Sequence, residues 1–73
     1  MDINSALAVK IKEIRESKNI SVYRAMKDMN ISWHAYHRIE TGVTSLTVSR
    51  FISICDFYEV DPSELLKEVL NEN

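Results

Sequence analysis

Asn30-Ile31-Ser32-Trp33-His34-Ala35-Tyr36-His37-Arg38-Ile39-Glu40-Thr41-Gly42 is the stretch on which the fold turns. Ser32 suits a helix start, because its hydroxyl can accept from an unpaired N–H of the first turn. Gly42 suits a helix end, because it takes the left-handed conformation at no steric cost. The spacing predicts a helix of about two to three turns between them. Ala35, Tyr36 and Ile39 share one face of it, while Trp33, His34, His37, Arg38 and Thr41 point elsewhere. A helix this short is not stable alone. A scaffold must hold it, and its outward face is rich in side chains that recognise partners.

Outward from this stretch, Ser21 caps a preceding helix, Val22 to about Met29, with Ala25 and Met26 inward. Asn30 stands at its C-terminal turn and Ile31 anchors the connection. Two short helices so joined form a helix-turn-helix over about residues 21–41. Before them a first helix runs from about Asn4 or Ser5 to Ser17, with Leu7, Ile11 and Ile14, and Ile3 ahead of them, as its apolar stripe. Lys18-Asn19 ends it. After Gly42 comes an uncharged loop, Val43-Thr44-Ser45-Leu46. A fourth helix covers about Thr47–Tyr58, with Val48, Phe51, Ile52, Cys55 and Tyr58 at helical spacing. Asp61-Pro62-Ser63-Glu64 is a compact start signal for a last helix carrying Leu65, Leu66, Val69 and Leu70 to about Asn71. The architecture expected is all-α, five helices on short connections, with no repeats or linkers.

The 73 residues make one domain, residues 1–73. A chain of this size buries only about 60% of its unfolded surface. One Gly and one Pro leave little room for the turns of a small β-fold. No apolar run approaches the roughly 20 residues of a membrane span, and no signal-peptide layout opens the chain. The lone Cys55 fits a reducing cytoplasm and an inert core position. The net charge is −2, unevenly spread. Residues 1–21 hold four Lys/Arg against three Asp/Glu, residues 22–46 three against two, and residues 47–73 two against six. The acidic excess sits away from the Ser32–Gly42 helix. No Gly-rich phosphate loop and no nucleophile placed beside a histidine appear, so no enzyme and no cofactor are expected. His34 and His37 lack a clear third ligand, so no metal site is expected either.

Several pieces together resemble the XRE, or lambda-repressor-like (Cro/C1-type), helix-turn-helix family of bacterial and phage regulators. They are Ile14-Arg15-Glu16, Ile20-Ser21, Ile31-Ser32, Arg38-Ile39-Glu40-Thr41-Gly42 and Val60-Asp61-Pro62-Ser63-Glu64-Leu65-Leu66, covering about residues 10–66. The resemblance implies a compact five-helix fold whose third helix enters the DNA major groove. It implicates Ser32, Trp33, His34, His37 and Arg38 on that helix, and Ser21, Val22 and Tyr23 at the start of the second. Arg15 and Glu40 match positions that form a buried ion pair in the family. The function implied is a cytoplasmic, sequence-specific transcriptional regulator from a phage, mobile element or restriction–modification locus. It would bind double-stranded operator DNA as a homodimer, on half-sites about one helical turn apart.

The departures from the family pattern point another way. Val22 stands where the family favours Gln, Ala25-Met26 replaces Leu-Ala, the loop after Gly42 lacks basic residues and Pro, and Trp33 is bulky. They support an alternative, an antirepressor-like protein-binding module that docks on a partner repressor. Trp33 divides the two: it packs on a thymine methyl and sugar, anchors a protein interface, or covers the domain's own core. Leu66, Val69 and Leu70 exceed what a minimal core needs. They form a homodimer surface, the expectation here, or close the core.

Overall fold

Every helix of this chain starts on a side chain that accepts from its own first turn. The computed structural model describes residues 2–43 and 45–72, and Thr44 of the uncharged loop lies outside the described residues. Among the described residues there are five helices: α1 Ile3–Ser17, α2 Val22–Met29, α3 Trp33–Thr41, α4 Val48–Tyr58 and α5 Pro62–Glu72. Asp2 accepts from the Ser5 N–H at 3.0 Å, Ser21 from Arg24 at 3.0 Å, Ser32 from Ala35 at 3.1 Å and Thr47 from Arg50 at 3.1 Å. Asp61 accepts from the Ser63 N–H at 2.8 Å, while the Glu64 carboxylate reaches forward to Lys67 at 4.0 Å. Such caps contribute about 1 kcal/mol each.

The helix ends are as uniform as the starts. α1, α2 and α4 are followed by left-handed residues, Asn19 (φ 57), Asn30 (φ 58) and Glu59 (φ 58). In each case the following apolar residue donates its N–H five residues back: Ile20 to Arg15 O, Ile31 to Met26 O and Val60 to Cys55 O. This pairing satisfies carbonyls the helix leaves open. The chain thus repeats one short device, a left-handed residue, a half-buried aliphatic and the next cap, as Asn19-Ile20-Ser21, Asn30-Ile31-Ser32 and Glu59-Val60-Asp61. α3 ends on Gly42 at φ 73, where a Cβ would meet the Ser5 Cα at 3.1 Å. Glycine is required there twice over, by conformation and by the close approach of α1.

α3 packs on α1 and α2, and α5 packs on α1 and α4. Two apolar clusters fill the interior. One joins Ala6, Leu7, Phe51, Cys55, Leu65 and Val69; the other joins Ile11, Ala25, Tyr36, Ile39, Ile54 and Tyr58. Ile14, Leu46 and Val60 bridge them. The expected inward set needs correction on two helices. Val48 is 76% exposed and Ile52 is exposed, while Ile54 is buried along with Phe51, Cys55 and Tyr58. α4 is contacted from two sides, and its inward arc centres on Phe51, Ile54, Cys55 and Tyr58. On α1, Ile3 is exposed, whereas Ala6, Ala8 and Arg15 are buried. Among the described residues no helix is long and apolar enough to cross a membrane.

Candidate nucleic-acid interface

The scaffold under α3 is polar where it is most constrained. Arg15 of α1 donates through Nε to Glu40 Oε2 at 2.7 Å and through Nη2 to Oε1 at 3.2 Å, a bidentate pair between nearly buried side chains. Its third nitrogen, Nη1, donates to the Ile20 carbonyl at 2.8 Å, so the same guanidinium ties down the entry to α2. The Tyr36 hydroxyl donates to Glu40 and is hydrogen-bonded to the Tyr58 hydroxyl. The carboxylate thus gathers α1, α3 and α4 at one point. Among the described residues, no buried side-chain nitrogen or oxygen lacks a partner. That completeness is what makes a buried ionic cluster tolerable. Burial first, and then the bonds to Glu40 and Tyr58, push the Tyr36 hydroxyl far above the ordinary tyrosine range. Burial likewise raises Tyr58, and the Glu40 hydrogen bond raises Arg15.

With its inner face locked, α3 presents Trp33, His34, His37, Arg38 and Thr41 outward, all exposed. Trp33 stacks on His37 with ring centroids 4.6 Å apart and planes 10° apart, and meets His34 edge-on at 5.4 Å and 82°. Thr41 donates its hydroxyl to the His37 carbonyl at 3.0 Å, so that hydrogen stays within the helix. Ser32 and Ser21 accept from backbone N–H groups and keep their own O–H as donors. Tyr23 is exposed, with the Lys27 ammonium 5.9 Å over its ring, whereas Val22 is half-buried against the second cluster. Arg24 is turned to Asp28 at 3.5 Å.

Two arginines stand apart. Neither Arg38 nor Arg50 has an ion-pair partner among the described residues, and both line one cleft of about 280 Å³ with Ser45 and Thr47. The cleft lies between the C-terminal half of α3 and the start of α4. Arg50, which the sequence offers with Arg24 and Lys27 as a further cation for DNA beside Arg38, lines the same cleft as Arg38. Its signal was its place in the first turn of a capped helix beside an uncharged loop. No group of three His, Cys, Asp or Glu among the described residues is placed to hold a metal ion. Cys55 is buried, and burial pushes its thiol up. Of the three residues read as a dimer surface, Val69 has no exposed area and Leu66 packs against the first cluster. Only Leu70, 59% exposed, lies on the surface, because the inward arc of α5 passes through Leu65 and Val69.

A family model described as a Cro/C1-type HTH DNA-binding domain matches residues 10–69. Among solved structures, the fold is similar to that of the clp gene regulator ClgR from C. glutamicum, with a TM-score of 0.88 at 15% sequence identity. The superposition covers 99% of this chain and 94% of that one. No protein in the curated collection matches the chain in sequence.

Proposed function

The chain belongs to the family of Cro/C1-type helix-turn-helix DNA-binding domains, and on that premise we propose that it is a sequence-specific, DNA-binding transcriptional regulator of XRE type. The observation that carries this reading is the outer face of α3, where Trp33, His34, His37 and Arg38 project unburied from a helix held rigid by the Arg15–Glu40 pair. An α-helix with its side chains is about 10–12 Å across, a fit to a major groove about 12 Å wide, and α3 is such a helix of nine residues. In this reading α3 lies in the groove and the start of α2, at Ser21 and Tyr23, touches the backbone. Arg38 and Arg50 neutralise phosphates or read a guanine edge. A homodimer would place two copies on half-sites about 34 Å apart, with Leu70 the exposed apolar residue of α5 offered to such a contact. A phage, mobile-element or restriction–modification origin rests on analogy with the family alone.

The test is fluorescence anisotropy on duplexes selected by the chain from a random pool. Arg38→Ala is expected to weaken binding by about 1–3 kcal/mol and to relax preference at one base pair. Selection that enriches no duplex sinks the regulator reading. One observation favours a second reading, an antirepressor-like module docking on a repressor. The exposed apolar residues Tyr23, Trp33 and Val43 lie on or beside the helix-turn-helix. In that case Trp33→Ala destroys a complex with the repressor and no selected duplex is bound.

A further inference from the structure

Three rings meet on the exposed side of α3, at the end where the helix begins. Trp33 is its first residue, and the indole lies nearly parallel to the His37 ring one turn on, with His34 against its edge. The indole is still 48% exposed and belongs to neither apolar cluster, so it is no lid on the core. One face is taken by His37 and an edge by His34, and the rest of the ring accounts for the exposure that remains. The stack also restrains a side chain that would otherwise lose rotamer freedom on binding, which lowers the cost of the contact.

In helix-turn-helix proteins the N-terminal residues of the second helix are the ones that reach base edges. An exposed indole offers no charge and little hydrogen bonding, and the group in the major groove that complements it is apolar. Of the four bases only thymine presents one there, its 5-methyl group. We propose that the Trp33–His37 stack is a preformed thymine-reading element, with the indole packing on the 5-methyl of one or two thymines and selecting A·T pairs at those positions. The inference rests on the DNA-binding reading above and names the base class that site prefers. The imidazole edges of His34 and His37 flank the contact and supply polar groups for the neighbouring pair.

The experiment starts from duplexes selected from a random-sequence pool by the parent chain. Each is resynthesised with deoxyuridine in place of thymidine, one position at a time. This removes a methyl group and leaves every hydrogen-bonding edge unchanged. The expected result is a loss of about fourfold at one or two positions and none elsewhere. Fourfold is about 0.8 kcal/mol at 1.4 kcal/mol per tenfold, the size of one buried methyl or methylene. Trp33→Ala, checked for helical content by circular dichroism, should bind the thymidine duplex more weakly and lose the difference at those positions. A parent that binds deoxyuridine and thymidine duplexes equally at every position overturns the inference and leaves the regulator reading standing. A Trp33→Ala variant that keeps the preference overturns the assignment to this stack. Failure to select any duplex, with capture of a repressor protein instead, overturns the DNA-binding reading and the inference with it.

Discussion

Glu40 is the residue at which the most of the structure converges. It accepts from Arg15 and Tyr36, and through Tyr36 it reaches Tyr58. Removing one partner of a buried pair leaves the other charge uncompensated, at a cost of about 3–5 kcal/mol. Arg15→Ala or Glu40→Ala should therefore lower the urea midpoint far more than Lys12→Ala, whose side chain is exposed. The tyrosines add a pH dependence whose sign follows from their burial. Their folded-state ionisation is raised above the ordinary value of 10.0, so the stability they contribute is fully present below that pH. It is lost as pH rises, because the unfolded chain ionises its tyrosines first. Urea midpoints should fall between about pH 9 and 11, and Tyr36→Phe with Tyr58→Phe should flatten that fall. An unchanged alkaline slope in the double variant would remove the pair from the explanation. The Arg15–Glu40 link could be expected from a family motif, yet the tyrosine bridge could not. Tyr36 and Tyr58 read as apolar-face residues of separate helices, and only the packing of α3 against α4 brings their hydroxyls together.

At the scale of the helix, starts and stops were legible because their chemistry is local. Ser21, Ser32, Thr47 and Asp61 act through bonds two or three residues away. Asn30 and Gly42 are residue types that accept the left-handed conformation. Glu59 carries no such signal. It holds the same conformation only because Val60 is drawn into the core and the Val60 N–H reaches back to Cys55 O at 2.9 Å. The face of α4 was illegible for a related reason. Val48, Ile52 and Ile54 are all apolar, and the residues of the two apolar clusters packed against α4 decide which is covered. A non-glycine residue held left-handed costs on the order of 1 kcal/mol. Glu59→Gly removes that strain, with part of the gain offset by the freer unfolded chain. A net gain of roughly 0.5 kcal/mol is expected, read as a melting temperature about 2–4 °C higher. Gly42→Ala is the opposite case, since it adds strain and a contact with α1, and it should destabilise by about 1–3 kcal/mol. A Glu59→Gly variant that melts lower than the parent would show that Glu59 makes a favourable contact outweighing its strain.

For the whole molecule, charge is the property that most limits function. The domain measures 31 × 23 × 21 Å and carries a net charge of −2, so it has no broad basic surface to hold DNA by attraction alone. Asp61, Glu64 and Glu68 lie on or at the start of α5, which packs against α1 and α4, while Arg38 and Arg50 face the cleft at α3. Arg24 is engaged by Asp28, and Lys27 sits over Tyr23. Among the described residues, two arginines per chain are thus left without an ion-pair partner on the α3 side. Each phosphate neutralised contributes about −0.9 to the slope of log affinity against log salt. The slope expected is about −2 for a single domain on DNA and about −4 for a dimer on two half-sites. Arg38→Ala and Arg50→Ala should each make it shallower by about 1 per chain. The measurement is anisotropy on a selected duplex between about 50 and 200 mM salt, with sedimentation of the same mixture to count chains. A slope near about −7 for the dimer would mean that Arg24 and Lys27 leave their partners, and that the charge pairing seen in the free domain does not persist on DNA.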